Sequence, residues 1–559
     1  MVQFQDEAQA KAYQEVREKE AEALAQILAE RYDLPYIDLA KVLVDNNAIR
    51  LIAEETSRAA KIVVFQMNQH DVSLAMQTPH NDKVQAVIDE LARQGFTIST
   101  FIASEFSIAK AWEVYKEVSY AKAETGGVMS VSDDTMQRYV STIKTIADVK
   151  AVVETAIASG SAHALSTVVE IIMGGAVATN VSDVHIEPEK EIVRVRYRLD
   201  GILQDVVEIT HPDYKKVLAR IKLLAGVKLN LVHEAQDGRF TIKINGVDVE
   251  VRTSILPAAY AESVVMRILN PKSISVPLEE LGMDEYFYQI MVEQIEKPNG
   301  LILTTGPTGS GKTTTLYACL KKLRSPQIKI ITIEDPIEYH LEGISQTQID
   351  HDKGYDFSHG LRAAVRQDPD VIMVGEIRDE ETASVAIDSA LTGHLVFSTL
   401  HTNNAAGAIP RLIDIGVNPK IISSALNIAI GQRLVRRLCK VCKEEYIPEG
   451  KERAALDREY PEIVKYRPKV LYPEKLWRPV GCEKCSFTGF KGRVSIYEGL
   501  LMDRAIEAIL RENPSEREIK EAAKPQGILD MRQDGMVKCI SGMTALSEVE
   551  RAVGLDESR

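Results

Sequence analysis

The chain has 559 residues, which by ordinary domain size predicts roughly three to five domains. Its 45% hydrophobic content predicts well-packed cores, and its net charge of −14 argues against a broad nucleic-acid surface, which would favour a basic balance. The first residues, MVQFQDEAQAKAYQEVREKE, are densely charged with no apolar core, so they are not a secretory signal. No apolar run of about 18 residues predicts a membrane span, and a cytoplasmic protein is expected.

Taken in chain order, residues 1 to about 32 read as a helix with an apolar spacing at Leu24, Ile27 and Leu28. A compact α/β stretch follows. Ile62–Phe65 and Val72–Met76 read as strands, Val84–Leu91 as a helix and Phe96–Ile98 as a strand, in a first domain over 1–116. Residues 117–160 read as a linker, with Gly126-Gly127 and Ser159-Gly160-Ser161 and a helix near 136–157. A second domain spans 161–275. There Val193–Arg198 alternates like a half-exposed strand, and Asn245-Gly246 turns a hairpin between Phe240–Ile244 and Val247–Arg252. From 285 to 559, apolar strands alternate with helices, which predicts an α/β domain with a parallel sheet and a mostly helical last sixty residues.

The strongest signal is Gly306-Pro307-Thr308-Gly309-Ser310-Gly311-Lys312-Thr313, followed by Thr314, at the exit of the apolar run Leu301–Leu303. This is a complete Walker A loop, G-x-x-x-x-G-K-[ST]. Its glycines allow a tight turn that aims backbone N–H groups at phosphates; Lys312 reaches the β- and γ-phosphates and Thr313 binds Mg²⁺. ATP and Mg²⁺ are therefore expected.

Three further elements follow. Ile330–Ile333 leads into Glu334-Asp335-Pro336-Ile337-Glu338, carboxylates that could position a water or simply form a surface loop. Asp370–Glu376 is an apolar strand ending in an acid, the shape of a Walker B element, with Glu376 acting on Mg²⁺. His394 and His401 bracket the strand between them, and either sense the γ-phosphate or are structural.

Of six cysteines, Cys319 and Cys539 stand alone, while Cys439, Cys442, Cys482 and Cys485 form two C-x-x-C pairs. Four thiolates satisfy tetrahedral Zn²⁺ and leave no open position, so a structural zinc site is expected in an insert over about 436–490.

In this order and spacing, Walker A, EDPIE, DPDVIMVGEIRD and TGHLVFSTLHTN resemble the secretion ATPase superfamily of type IV pili and type II secretion. The resemblance is strong over about 160–559. It implies a RecA-like domain preceded by a PAS-like domain and a small N-terminal α/β domain. It also implies Glu338 as general base, Glu376 as Walker B acid and His394 and His401 as the His-box pair. Arg252 and Arg267 would reach a neighbouring subunit's nucleotide, and Arg362 and Arg366 would serve the nucleotide domain. It further implies a homohexamer at the cytoplasmic face of the inner membrane, working with a platform protein, a regulatory ring protein being a further candidate partner. The tetracysteine insert resembles that of assembly and secretion ATPases rather than retraction motors. ALAQILAERYDLPYIDL resembles the platform-docking domain; the Arg-Leu-Gly type motif of its cyclic di-GMP-binding versions is not found, so second-messenger binding is not expected. Pilus assembly, type II secretion and DNA-uptake pili share this engine; the form of the N-terminal region favours the type IV pilus.

Overall fold

The computed structural model describes residues 20–115 apart from 40–41, 43, 50, 53, 69–70, 80, 94 and 113, then 128–129, 133–158, and 162–555 apart from 245 and 271–275. The helix expected before residue 20 and the Gly126-Gly127 and Ser159–Ser161 segments lie outside them. The chain divides into two compact units, 1–130 and 131–559.

The first unit is built on a three-stranded sheet. Ile62–Asn68 pairs antiparallel with Asp71–Met76, which pairs parallel with Thr97–Ile102. Alternation along the strands sends Ile62 and Val64 to one face and Val63 and Phe65 to the other, and both faces are covered. Helix Asp82–Arg93 buries Val84, Val87 and Leu91, one face at helical spacing. The helix over 20–32 keeps only part of the expected stripe: Leu28 packs against the core beside buried Ala25 and Ala29, while Leu24 and Ile27 are 58% and 60% exposed. The small alanines let the backbone lie close on the sheet, which a leucine face would hold off.

The second unit begins inside the expected linker, where the helix read near 136–157 is present as two shorter helices. Asp133–Thr142 and Ile146–Ala158 are both helical, and Ile146, Val149 and Val153 are buried. A Cβ on Gly175, in helix Ala162–Ala178, would fall 2.6 Å from Val149, so glycine is what permits this close helix crossing. These helices cover a sheet whose strands run in the order Gln236–Ile244, Val247–Pro257, Glu262–Leu269, Asp183–Pro188, Val193–Leu199 and Ile202–Ile209, all antiparallel.

The third sheet carries the Walker loop. Its order is Ser345–Gln348, Ile330–Glu334, Val371–Val374, Leu395–Leu400, Gly300–Thr305, Leu426–Leu438 and Phe490–Leu501; only the last pairing is antiparallel. The strands are buried on both sides, as a parallel sheet requires. Leu301 and Leu303 join helices Phe357–Val365 and Glu380–Leu391 in one core, and Ile302 joins helices Glu285–Ile295 and Lys312–Leu323 in the other. Because the strands are parallel, the ends after Thr305, Glu334, Val374 and Leu400 share one edge.

A buried ion network ties the last helix to this sheet. Glu548, 2% exposed, accepts from the Arg436 backbone N–H at 3.0 Å and from the guanidinium groups of Arg436 at 2.7 Å and Arg551 at 2.8 Å. Burial alone raises its pKa from the ordinary 4.5; these donors outweigh burial and hold it at about 2. The contribution is therefore complete above pH about 4.5 and is lost as pH falls toward 2. Glu548→Gln is expected to destabilise this domain by about 2 kcal/mol at pH 7, as for hydrogen bonds to charged groups. In calorimetry the difference from wild type should shrink below pH 4; a constant difference from pH 7 to pH 3 would remove the ionised carboxylate from this account.

Candidate active site

The Walker loop leaves strand Gly300–Thr305 and enters helix Lys312–Leu323. Gly306 has φ 146° and Gly311 φ 91°, both disfavoured for residues with a side chain. A Cβ on Gly306 would lie 2.6 Å from the Gln432 carbonyl oxygen, so the loop is pressed against the neighbouring strand. Gly311 gives the helix no side-chain cap, whereas Asp356 and Asp379 cap helices Phe357–Val365 and Glu380–Leu391. Its first N–H groups are left for an anion, and the helix dipole adds to their pull. Lys312 Nζ folds back on the loop's own carbonyls, Gly306 at 2.8 Å and Pro307 at 3.2 Å. Its pKa is lowered, chiefly by burial. Ser310 Oγ is buried and finds no hydrogen-bond partner among the described residues. Such a loop fits a polyphosphate.

The acids at the shared edge differ in what they can do. Glu334 is buried and accepts from Tyr317, from Thr332 at 2.5 Å and from Gln346 at 3.0 Å. Its oxygens are spent on the fold. Glu338, beyond the cis Asp335-Pro336 bond, is about one-third exposed and meets Arg252 Nη1 at 3.3 Å. Glu376 ends the Walker B strand and is held by Arg378 at 2.5 Å and by His401 Nε2 at 2.9 Å. Arg378 is a partner that the sequence reading missed, although it stands two residues along in the same GEIRD run.

The two histidines part company. His401 is at the nucleotide edge on Glu376, but His394 is at the other end of the same strand. The His394 carbonyl accepts from Gly300 N–H, and its Nδ1 meets the Ser389 carbonyl at 3.0 Å. Six extended residues separate the histidines by about 20 Å. The expectation of a paired γ-phosphate sensor is corrected accordingly: of the two, only His401 stands at the edge that carries the Walker loop.

Arg362 and Arg366 also fall elsewhere. They line a groove of about 880 Å³ with Glu381, Val385 and Asp388, between helices Phe357–Val365 and Glu380–Leu391. Arg362 pairs there with Glu381 at 2.9 Å. This is the sheet face opposite helix Lys312–Leu323, so within this chain the two residues do not stand beside the phosphate loop as expected.

Arg252 and Arg267 are direct cross-strand partners, and the same row continues to Arg239 on one side and to Asp183 and Arg198 on the other. Four arginines and one acid thus stand side by side, a surface made for anions. Arg252 meets this chain's own Glu338 and donates to the Ile337 carbonyl at 2.5 Å. Arg267, 58% exposed, pairs with buried Asp183 at 3.0 Å.

The four cysteines converge where the last two sheet strands meet. Cys439–Cys482, Cys442–Cys485 and Cys482–Cys485 Sγ distances are 3.9, 3.8 and 3.8 Å, and all four lie within 4.8 Å of one another. Tetrahedral zinc with ~2.3 Å bonds to sulfur requires about 3.8 Å between sulfurs. The donor set therefore fits Zn²⁺. The long spacer between the pairs is occupied by helix Gly450–Tyr466, whose Ala455, Leu456 and Ile463 join the core of the last helices.

A parallel sheet with a phosphate loop at its carboxyl edge and a carboxylate on an adjacent strand end defines a P-loop ATPase domain of the RecA-like kind. Residues 159–551 match the family described as Type II/IV secretion system protein, and the chain belongs to this family of ATPases. Residues 32–119 match the MshEN domain. The chain is 43% identical over 383 residues to type II secretion system protein E of Pseudomonas aeruginosa, spanning 68% of this chain and 74% of that protein. It is 35% identical over 531 residues to the type IV pilus assembly ATPase PilB of Myxococcus xanthus, spanning 95% of this chain and 91% of that one. The X-ray structure of the Yersinia pseudotuberculosis ATPase DotB is similar in fold, with a TM-score of 0.51 and 19% identity over 70% of this chain and 93% of that one. No helix among the described residues is long and apolar enough to cross a membrane.

Proposed function

We propose that this protein hydrolyses ATP to drive assembly of a type IV pilus, working as a homohexamer against an inner-membrane platform from the cytoplasmic side. The observation that carries the reading is the extent of its likeness: the Myxococcus relative, named a pilus assembly ATPase, matches over 95% of this chain, through the first unit as well as the motor. The first domain, 1–116, is the platform-docking domain in this reading, and 161–275 is the PAS-like domain. The acidic balance speaks against nucleic acid as cargo.

Lys312 leaves the loop carbonyls for the β- and γ-phosphates, and the uncapped helix N-terminus receives the same anion. Thr313 and Glu376 would hold Mg²⁺, which when bound screens the charge that develops on the phosphates. Glu338 takes the proton of the attacking water once Arg252 releases it. Arg252 and Arg267, on one ladder of the preceding domain, turn toward phosphate charge as subunits close. Sequential closure around the ring would lift or turn the platform. The four cysteines would hold zinc as a structural clamp.

A second reading, the motor of a type II secretion system, is favoured by the higher 43% identity of the motor part to the Pseudomonas secretion protein. Crosslinked pull-down of Glu338→Gln protein from native membranes separates the two. Recovery of a pilus platform with the major pilin is expected; recovery of a secretion platform with pseudopilins would replace the first reading by the second.

A further inference from the structure

One cation presses on the phosphate loop without belonging to any of its motifs. Arg433 lies on strand Leu426–Leu438, beside the strand that feeds the loop. A Cβ on Gly306 would stand 3.1 Å from Arg433 Nη1, so the guanidinium abuts the first glycine of the loop. It is also within electrostatic reach of Lys312: burial does most to lower the pKa of that lysine, and Arg433 adds to it. Both of its hydrogen bonds go to neutral carbonyls, Gln432 at 3.2 Å and Asn403 at 2.8 Å.

Asn403 belongs to the segment that follows His401, and each end of that segment is tied to something different. His401 holds Glu376 at 2.9 Å. Asn404 donates to Glu516 at 2.7 Å, at the start of helix Glu516–Ala523. The Ala405 N–H donates at 2.6 Å to Glu498. The segment therefore touches the phosphate loop through Arg433, the Walker B acid through His401 and the C-terminal helices through Asn404.

We propose that Arg433 is a positioning residue for ATP hydrolysis: it braces segment 401–407 against the phosphate loop, so that an occupied loop holds His401 on Glu376 and passes its state to helix Glu516–Ala523. The planar fork of arginine spans two acceptors at once, which a lysine ammonium cannot reproduce. A triphosphate in the loop draws this cation toward Gly306 and stiffens the brace. The inference rests on the reading of Gly306–Thr313 as the ATP site.

The test is a kinetic cycle on the full-length protein. Arg433→Gln is expected to lower kcat about tenfold or more with KM for ATP changed less than about threefold, the size of loss that misplacement of a catalytic group causes. Arg433→Lys should not rescue it. In a His401→Ala background, Arg433→Gln should cost less than about twofold more, because the two act through one segment. An equal factor in both backgrounds, or a raised KM with kcat intact, overturns the proposal. Amide hydrogen exchange decides where turnover in the double variant is too low to measure. ATP added to Glu338→Gln protein should protect 401–407 and 516–523, and Arg433→Gln should abolish that protection; its persistence overturns the proposal. Lys312→Ala checks the underlying reading separately: wild-type turnover in that variant would remove the ATP site itself.

Discussion

Glu338→Gln is expected to cut steady-state ATP turnover by about a hundredfold or more while leaving ATP affinity within a few-fold, since a positioned general base contributes ~10²–10⁴. The structure selects this residue from the two glutamates of its loop. Glu334 is buried and already accepts three side-chain hydrogen bonds, so its oxygens are engaged within the fold. Glu338 stands four residues beyond at the same sheet edge, about one-third exposed, with Arg252 as its side-chain partner. The Arg252 pair orients the carboxylate and also blocks it, so activity requires that Arg252 swing away. The matched control is Glu334→Gln, which should lower thermal stability because Tyr317 and Gln346 lose a charged acceptor. Single-turnover kinetics with equilibrium ATP binding decide the matter. Undiminished hydrolysis by Glu338→Gln would take the base elsewhere in the site; equal loss of binding and turnover would make the residue a structural one.

What the sequence disclosed depended on whether a local pattern carried the information. The register of the arginine row is a clear case. A two-residue turn at Asn245-Gly246 places Arg239 opposite Arg252 by counting outward, and the ladder does pair them. That count follows from the hairpin alone and brings Arg239 into the row. Arg198 and Asp183 could not be reached this way, because their strands join the row only through the order of the sheet. His394 shows the opposite error. Its motif spacing was legible, but a strand carries its two ends to opposite edges of the sheet, and only one edge carries the Walker loop. Arg362 and Arg366 are near the Walker B strand in sequence but on the other face, because a crossover helix packs on either side of the sheet and sequence proximity does not choose between them. Arg433 had no local signal, since its meaning comes from strand adjacency. In the helix over 20–32, Ala25 and Ala29 rather than Leu24 and Ile27 face the core, a choice set by how closely the helix lies on its sheet.

Loss of the tetracysteine site is expected to have the second large effect, and on structure more than on chemistry. Elemental analysis should find about one zinc per chain, as four thiolates at tetrahedral spacing require. The thiols are prepared for a cation. Gly481 N–H donates to Cys442 Sγ at 3.3 Å, and the Cys482 and Gly489 N–H groups donate to Cys485 Sγ at 3.2 and 3.3 Å. These bonds stabilise thiolates, the form that binds metal. The site closes the insert where strand Leu426–Leu438 pairs Leu438 with Phe490. Gln432, which touches the phosphate loop, is six residues back on the same strand, about 20 Å away along extended chain. Cys482→Ser together with Cys485→Ser should therefore abolish zinc binding, open residues 440–481 to limited proteolysis and lower the melting temperature of this region by about ten degrees, a loss of about 3–5 kcal/mol at ~2–4 °C per kcal/mol. KM for ATP should move less than about threefold, because no ligand position is left open for substrate. Full protease resistance in metal-free protein would show that the packing of helix Gly450–Tyr466 and Trp477 alone holds the insert; a large rise in KM would instead bring the insert into the nucleotide site, against the separation along the strand.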